Sequence, residues 1–254
     1  MPLQADIGAG QVLGKRQRQE DRFAIAPDVR GAPRFLVLSD GMGGAVGGDV
    51  AASLIVEKVC EALAEAPYGG EGPPGSALRA AALSANKALK ARVKADPDLE
   101  GMGGTLVIVH LGPDGLMFFS MGDSPLWRVR AGQVRRLNAD HSVGGLLDAQ
   151  VARGEISAEE AASRRDRNSI TSVLTGRPIQ DMRMDETVDL VPLAPGDVLV
   201  LASDGLDSLA SPEIARLVSE DRPAAELAGA LLAAVEALDR PRQDNCSVIV
   251  ARFT

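Results

Sequence analysis

Aromatic and soft metal-ligating residues are scarce in this sequence. Phe, Trp and Tyr make up 3% of the 254 residues, so no aromatic platform is available for stacking nucleic-acid bases. Two His and two Cys in the whole chain make a nitrogen and sulfur zinc site hard to assemble. Cys60 falls in an expected helix and Cys246 in an expected strand, which reads as two buried, inert thiols rather than a disulfide framework. Positive charge is also short: 27 Lys plus Arg stand against 35 Asp plus Glu, for a net charge of -8. That balance repels phosphate backbones and anionic lipid, so neither nucleic acid nor membrane is an expected partner. No run approaches the roughly 18 to 20 apolar residues of a membrane span, and Met1 to Gly10 lacks a basic start followed by an apolar run. A cytoplasmic protein is expected.

What is present is an aliphatic chain, 45% hydrophobic, read as one domain spanning residues 1–254. Apolar runs at Phe35 to Leu38, Thr105 to Val109, Leu116 to Phe119, Val198 to Leu201 and Ser247 to Val250 are short and bounded by Gly, Asp or Pro, which predicts core strands. Alanine-rich amphipathic segments at Val46 to Glu65 and Ser76 to Lys94 predict helices, with a further pair at Pro212 to Ser219 and Ala224 to Leu238. Pro67 to Gly75 reads as a loop. Strands between Thr105 and Leu137 follow one another through short turns such as Pro113-Asp114-Gly115, so the fold class is α+β, with mostly antiparallel sheets and helices outside them. The polar, weakly helical stretch at about 142–167 reads as a surface flap.

One device occurs twice. Leu36-Val37-Leu38-Ser39-Asp40-Gly41 and Val200-Leu201-Ala202-Ser203-Asp204-Gly205 are each an apolar strand ending in Ser-Asp-Gly. A carboxylate just past a buried strand is rigidly held, and the following Gly permits a sharp turn and leaves a carbonyl accessible. Asp123 follows the Phe118-Phe119 strand, and Asp244 precedes the last one. Any single Asp-Gly is more often an ordinary turn. Four acids at strand ends are different, because close carboxylates repel unless cations or protons neutralise them. Oxygen ligands indicate Mg²⁺ or Mn²⁺. Two such ions about 3.5–4 Å apart would activate a water for attack on phosphorus. The run Lys15-Arg16-Gln17-Arg18-Gln19-Glu20-Asp21 adds a guanidinium able to clamp phosphate beside further acids, although alone it would be a solvated charged loop.

These residues resemble the metal-dependent type 2C protein Ser/Thr phosphatases, particularly bacterial members. The matching motifs, in order, are Arg16 with Glu20-Asp21; Asp40-Gly41-Met42-Gly43-Gly44; Gly103-Gly104-Thr105; Gly122-Asp123-Ser124; Asp140-His141-Ser142; Ser203-Asp204-Gly205-Leu206; and Asp244-Asn245. The resemblance implies an α-β-β-α sandwich with a metal centre at one edge. It implies that Asp40 bridges two Mn²⁺ or Mg²⁺ ions, that the Gly41 carbonyl binds one, and that Asp204 and Asp244 complete the other. Asp123 would join Asp204 at a third, weaker site, Glu20 and Asp21 would bind a metal directly or through its waters, and Arg16 would hold the substrate phosphate. Phosphorylated proteins and a cognate Ser/Thr kinase are the implied partners. Three positions depart from the pattern: Met42 where many eukaryotic relatives have a His, Pro125 where an Arg is common, and Ser208 where many have an acid, with Asp207 one position away. Leaving-group protonation therefore has no assigned residue. His141 is a candidate, but a lone His beside an Asp is more often structural.

Two other readings compete. An inactive pseudophosphatase acting as a phosphoprotein-binding or kinase-scaffolding module would be favoured by loss of a primary ligand, and none is lost. Nucleotide binding through the glycine-rich Asp40 to Gly48 fails because no Gly-Lys-Ser/Thr is present.

Overall fold

The computed structural model describes residues 3–27, 33–43, 47–65, 75–113, 115–179, 182–187 and 189–254. The Pro67–Gly75 loop apart from Gly75, Gly44 of the glycine-rich motif, Val46 and Asp114 lie outside them. Strands and helices are numbered along the chain. One sheet runs β1 (Ala5–Val12), β12 (Cys246–Phe253), β11 (Val198–Ala202), β7 (Leu126–Arg130), β8 (Gln133–Arg136). The other runs β10 (Val191–Pro192), β6 (Gly115–Met121), β5 (Leu106–Leu111), β3 (Pro33–Met42), β2 (Asp21–Pro27), with β4 (Gly103–Gly104) on β3 and β9 (Asp185–Glu186) on β6. All of these pairings are antiparallel. Helices α1 (Gly48–Glu65) and α2 (Gly75–Ala95) cover the second sheet, and α5 (Ser211–Val218) and α6 (Ala224–Ala237) cover the first. The flap region carries α3 (Val143–Ala152) and α4 (Ala158–Ser163).

The strands read as continuous apolar runs because both faces of each sheet are buried, and successive side chains serve different layers. In β3, Leu36 and Leu38 enter the cluster between the sheets, where they join Val107, Leu199, Leu201 and Ile249. Phe35 and Val37 point the other way, to Ile55, Val59 and Leu63 of α1 and Leu89 of α2. Likewise β12 sends Ile249 and Ala251 inward and Val248 and Val250 toward Leu227 and Leu231 of α6. Each fully buried aliphatic side chain of this kind contributes roughly 1.5–3 kcal/mol. The α-β-β-α sandwich and the expected strands and helices are therefore present.

Strands β1 and β2 were not foreseen, and Cys60 is half-buried rather than buried. β1 has the sequence ADIGAGQV, poor in the β-branched residues that mark strands. Packing explains its glycine: a Cβ on Gly8 would lie 2.2 Å from the Ala225 backbone nitrogen. Helix α6 sits directly on the strand, and the Ala224 N–H donates to Asp6 Oδ2 at 2.7 Å, which caps a helix whose own N-cap position is Pro223. Gly8→Ala is expected to force α6 off β1 at a cost of about 1–3 kcal/mol. A thermal melt should show the midpoint falling by roughly 2–4 °C per kcal/mol; an unchanged midpoint would contradict this contact.

Candidate metal centre

The two sheets deliver acids to one common edge. From the second sheet come Asp40 near the end of β3, Asp21 at the start of β2, and Asp123 just past β6; Asp21 and Asp40 are cross-strand partners. From the first sheet come Asp204, two residues past β11, and Asp244, two residues before β12. The sheets are stitched together here: Ser203 Oγ donates to Asp21 Oδ2 at 2.8 Å and accepts from Ser247 N–H at 3.0 Å. Glu20 N–H donates to Asn245 Oδ1 at 2.8 Å, while Asn245 Nδ2 donates to Leu13 O at 2.8 Å. Asn245 thereby holds the Leu13 to Glu20 segment, including Arg16, against the turn that carries Asp244.

Thr105 fixes Asp40. Its N–H donates to Asp40 O at 2.8 Å, its hydroxyl accepts from Asp40 N–H at 2.9 Å, and the same hydroxyl meets Ser124 Oγ at 2.8 Å. The Gly-Gly-Thr and Gly-Asp-Ser motifs are thus one clasp that sets Asp40 and Asp123 relative to each other. Gly41 has no room for a side chain, since a Cβ would lie 2.0 Å from Gly48 O. A Cβ on Gly48 would lie 2.7 Å from Glu20 Oε1 and 2.9 Å from Gly41 O, which places both oxygens beside the first turn of α1.

The electrostatics are those of a crowded acid cluster. Burial, followed by Asp21, Asp204, Asp123 and Asp244, holds the Asp40 carboxyl well above the usual range. Burial pushes Asp21 up to about 6 against the hydroxyl of Ser203, and burial together with Asp204 pushes Asp123 up to about 7. Burial and Asp244 raise Asp204, and burial raises Glu20. Among the described residues the cation paired directly with these acids is Arg16, whose Nη2 lies 2.5 Å from Asp244 Oδ2. Both partners are partly exposed, with 53% and 38% of their side-chain surface accessible, so this pair is worth at most about 1 kcal/mol and exchanges readily.

Among the described residues no three His, Cys, Asp or Glu side chains already stand close enough together to hold a metal ion. Mg²⁺ and Mn²⁺ do not require three, since one or two carboxylates with water suffice, and here Asp244 is drawn to Arg16. The donor set fits such ions. It consists of oxygens alone, its carboxylates are left largely uncompensated by the protein, and the buried Asp123 Oδ1 has no hydrogen-bond partner.

Residues outside the sequence-derived set also act here. Arg136 donates to Asp123 O at 2.5 Å and to Asp140 Oδ2 at 3.2 Å. Asn138 accepts from Leu126 N–H and donates to Ser124 O. Their signal in the sequence was only proximity to Asp140-His141-Ser142. Asp207 is exposed as a residue, yet burial of its carboxyl, with Asp204 and Asp140 acting against Arg136, pushes it up to about 6, whereas the Ser208 hydroxyl is buried and unpartnered. Met42 is 40% exposed beside Gly41. His141 is buried next to Gly122, and His110 lies away from the acids, its ring 5.0 Å from that of Phe35.

Residues 12–236 match the family model described as protein phosphatase 2C. The serine/threonine protein phosphatase PstP of Mycobacterium tuberculosis is 33% identical over 218 residues, covering 86% of this chain and 40% of PstP. The chain thus spans well under half the length of that relative. A putative protein phosphatase 2C-type of Streptococcus pyogenes is 30% identical over 209 residues, covering 82% of this chain and 79% of the relative. Among solved structures, that of the Mycobacterium tuberculosis PstP matches with a TM-score of 0.81 at 30% identity, covering 99% of both chains. The PstP catalytic domain in complex with two manganese ions matches with a TM-score of 0.80 at 28% identity and the same coverage.

Proposed function

Because the chain belongs to the protein phosphatase 2C family, we propose that it hydrolyses phosphoserine and phosphothreonine in proteins, using divalent metal held at the edge where its sheets meet. The observation that carries this reading is the convergence of Asp40 and Asp21 from one sheet with Asp204 and Asp244 from the other, beside an exchangeable Arg16. Asp40 would bridge two Mn²⁺ or Mg²⁺ ions. The Gly41 carbonyl, with Glu20 and Asp21 directly or through water, would serve one ion, and Asp204 and Asp244 the other. Asp123 and Asp204 would form a third, weaker site, where Ser208 supplies no acid. When bound, the ions supply an activated water and neutralise phosphate charge.

The chain's own residues do the rest. Thr105 and Ser124 hold Asp40 in place, so no reorganisation is needed when charge develops. Arg16 trades Asp244 for the planar, bidentate grip that guanidinium makes on phosphate oxygens. Bringing the phosphate against Arg16 orients the ester for in-line attack. The flap, α3 and α4, flanks this edge and shapes the approach of a polypeptide. A phosphoprotein substrate and an opposing Ser/Thr kinase in the cytoplasm complete the reading. In keeping with it, no helix among the described residues is long and apolar enough to cross a membrane. Each primary ligand position, Asp40, Asp204 and Asp244, keeps its carboxylate, so nothing favours a scaffold without activity.

Incubation with a phosphothreonine peptide should release phosphate in the presence of Mn²⁺ and not with chelator. No turnover, or turnover unaffected by Asp204→Asn, would overturn the proposal. Arg16→Ala should lower kcat/KM by roughly 10- to 150-fold, the equivalent of a lost charged hydrogen bond at about 1.5–3 kcal/mol. That loss should appear in KM, for phosphate binding, and in kcat, for orientation of the ester, with Mn²⁺ affinity retained.

A further inference from the structure

The flap base and the Asp123 turn are joined through one buried residue. His141, 5% exposed, donates its backbone N–H to Gly122 O at 3.1 Å, and Gly122 N–H donates to His141 Nδ1 at 3.2 Å. A backbone N–H only donates, so Nδ1 is the unprotonated nitrogen and the imidazole is the neutral Nε2–H tautomer. Burial lowers the imidazole pKa in the same sense. On the other side, Thr171 donates both its N–H, at 2.7 Å, and its hydroxyl, at 2.6 Å, to His141 O. The two ends of the flap are zipped beside it by a Ser142–Ile170 bridge, by Val143 N–H to Ser169 O at 2.9 Å and by Gly144 N–H to Arg167 O at 2.7 Å.

The Gly122 turn needs such a brace. Its φ is +111°, and a Cβ there would lie 2.6 Å from Thr105 Cβ, so the turn is pressed from the metal side by Thr105 and held from the flap side by His141. Asp123 Oδ1, one residue on, has no hydrogen-bond partner of its own, which leaves its direction to the turn. His141 also borders a cleft of about 870 Å³ between the flap and α2, together with Arg79, Leu146, Met182 and Arg183.

We propose that His141 is a positioning residue that locks the Gly122–Asp123 turn to the base of the flap, so that metal affinity at Asp123 depends on an imidazole that touches no metal. This rests on the reading of Asp123 as a ligand of the weaker site. Outer groups that orient a ligand typically change metal affinity about 10- to 100-fold when removed.

The test is Mn²⁺ binding to the purified full chain, followed by the paramagnetic signal of free Mn²⁺, with Asp123→Asn as reference. Asp123→Asn should lose the weak class of sites and keep the tight pair. His141→Ala should weaken that class by about 10-fold or more and leave the tight pair unchanged. His141→Asn, whose Oδ1 reaches the Nδ1 position, should restore it, while His141→Gln, which reaches only Nε2, should not. The Gly122 amide resonance of labelled protein should move in the Ala and Gln variants and stay near its wild-type position in Asn. If the Ala variant fails to fold, the Asn and Gln pair decides. Wild-type weak binding in His141→Gln, or weak binding in His141→Asn as poor as in the Gln variant, would overturn the proposal. A weak class that survives Asp123→Asn would remove the ligand assignment and the proposal with it.

Discussion

Asp40→Asn should reduce Mn²⁺-dependent turnover of a phosphothreonine peptide by about 10³-fold or more, with the fold intact. Divalent ions supply several kcal/mol of transition-state stabilisation, and about 1.36 kcal/mol corresponds to a factor of ten in rate. Asp40 is the proposed ligand shared by both ions, so its loss disables two sites together, whereas Asp123→Asn affects only the weaker one. The isosteric amide keeps the backbone clasp with Thr105, because that clasp uses the Asp40 N–H and carbonyl and not its side chain. Circular dichroism should therefore be unchanged. Retention of more than about a tenth of the activity would show that Asp40 does not bridge the ions, since a bridging ligand is worth far more than about 1.36 kcal/mol.

The metal-free protein should be more stable in mild acid than at neutral pH, and Mn²⁺ should reverse that order. Asp21 and Asp123 titrate at about 6 and about 7 in the folded chain against a usual 3.8, and Asp40 and Asp204 are raised as well. Between about pH 4 and pH 7 the folded state therefore binds more protons than the unfolded state, and stability falls as pH rises through that window. A tenfold difference in proton affinity between the folded and unfolded chain corresponds to about 1.36 kcal/mol, so the cluster costs several kcal/mol at pH 8 once coupling among the acids is allowed for. Calorimetry in chelator should show a higher midpoint at pH 5.5 than at pH 8. Asp40→Asn should flatten this profile and raise stability at pH 8 by about 1–3 kcal/mol, since it removes one of the repelling charges. Mn²⁺ at about 100 times its Kd should add about 2.7 kcal/mol or more to the wild type at neutral pH. A flat profile in chelator would mean that the acids are not mutually destabilising. Asp197 works in the opposite direction at lower pH. It is 1% exposed and burial would raise it, but bidentate pairing to Arg130 at 2.6 Å and the Ala194 N–H hold it below the usual value. Its contribution is present above about pH 4 and is lost as pH falls through its folded pKa, which bounds the acid side of the window.

A rigid scaffold holds these mutually repelling acids together. Thr105, Ser124, Ser203, Asn245 and Arg136 fix backbone and carboxylates in place, and the cluster is left short of positive charge. Such sites lose stability locally and gain it on binding a ligand. That trade is consistent with the proposed chemistry and makes the stability measurement a test independent of turnover.

Much of this was legible in the linear sequence because some signals are local. An apolar run ending in Ser-Asp-Gly states both the strand and the place of its carboxylate, and so Asp40 and Asp204 were found without a structure. Runs long enough to be buried on both faces identified β3, β5, β6, β11 and β12, and alanine-rich periodicity identified α1, α2, α5 and α6. Local signals failed where a residue is chosen for a distant neighbour. β1 carries Gly8 and Gly10 because α6, more than 200 residues later, rests on it. The cross-strand pairing of Asp21 with Asp40, the stitch through Ser203, the Thr105–Ser124 clasp and the brace from His141 to Gly122 join residues 19 to 182 positions apart. The sequence by itself determined which acids stand at strand ends and therefore which chemistry is available. Only the tertiary structure decided how those acids are aimed, because a carboxylate's direction is set by hydrogen bonds and packing from strands, helices and a flap that meet only when the chain has folded.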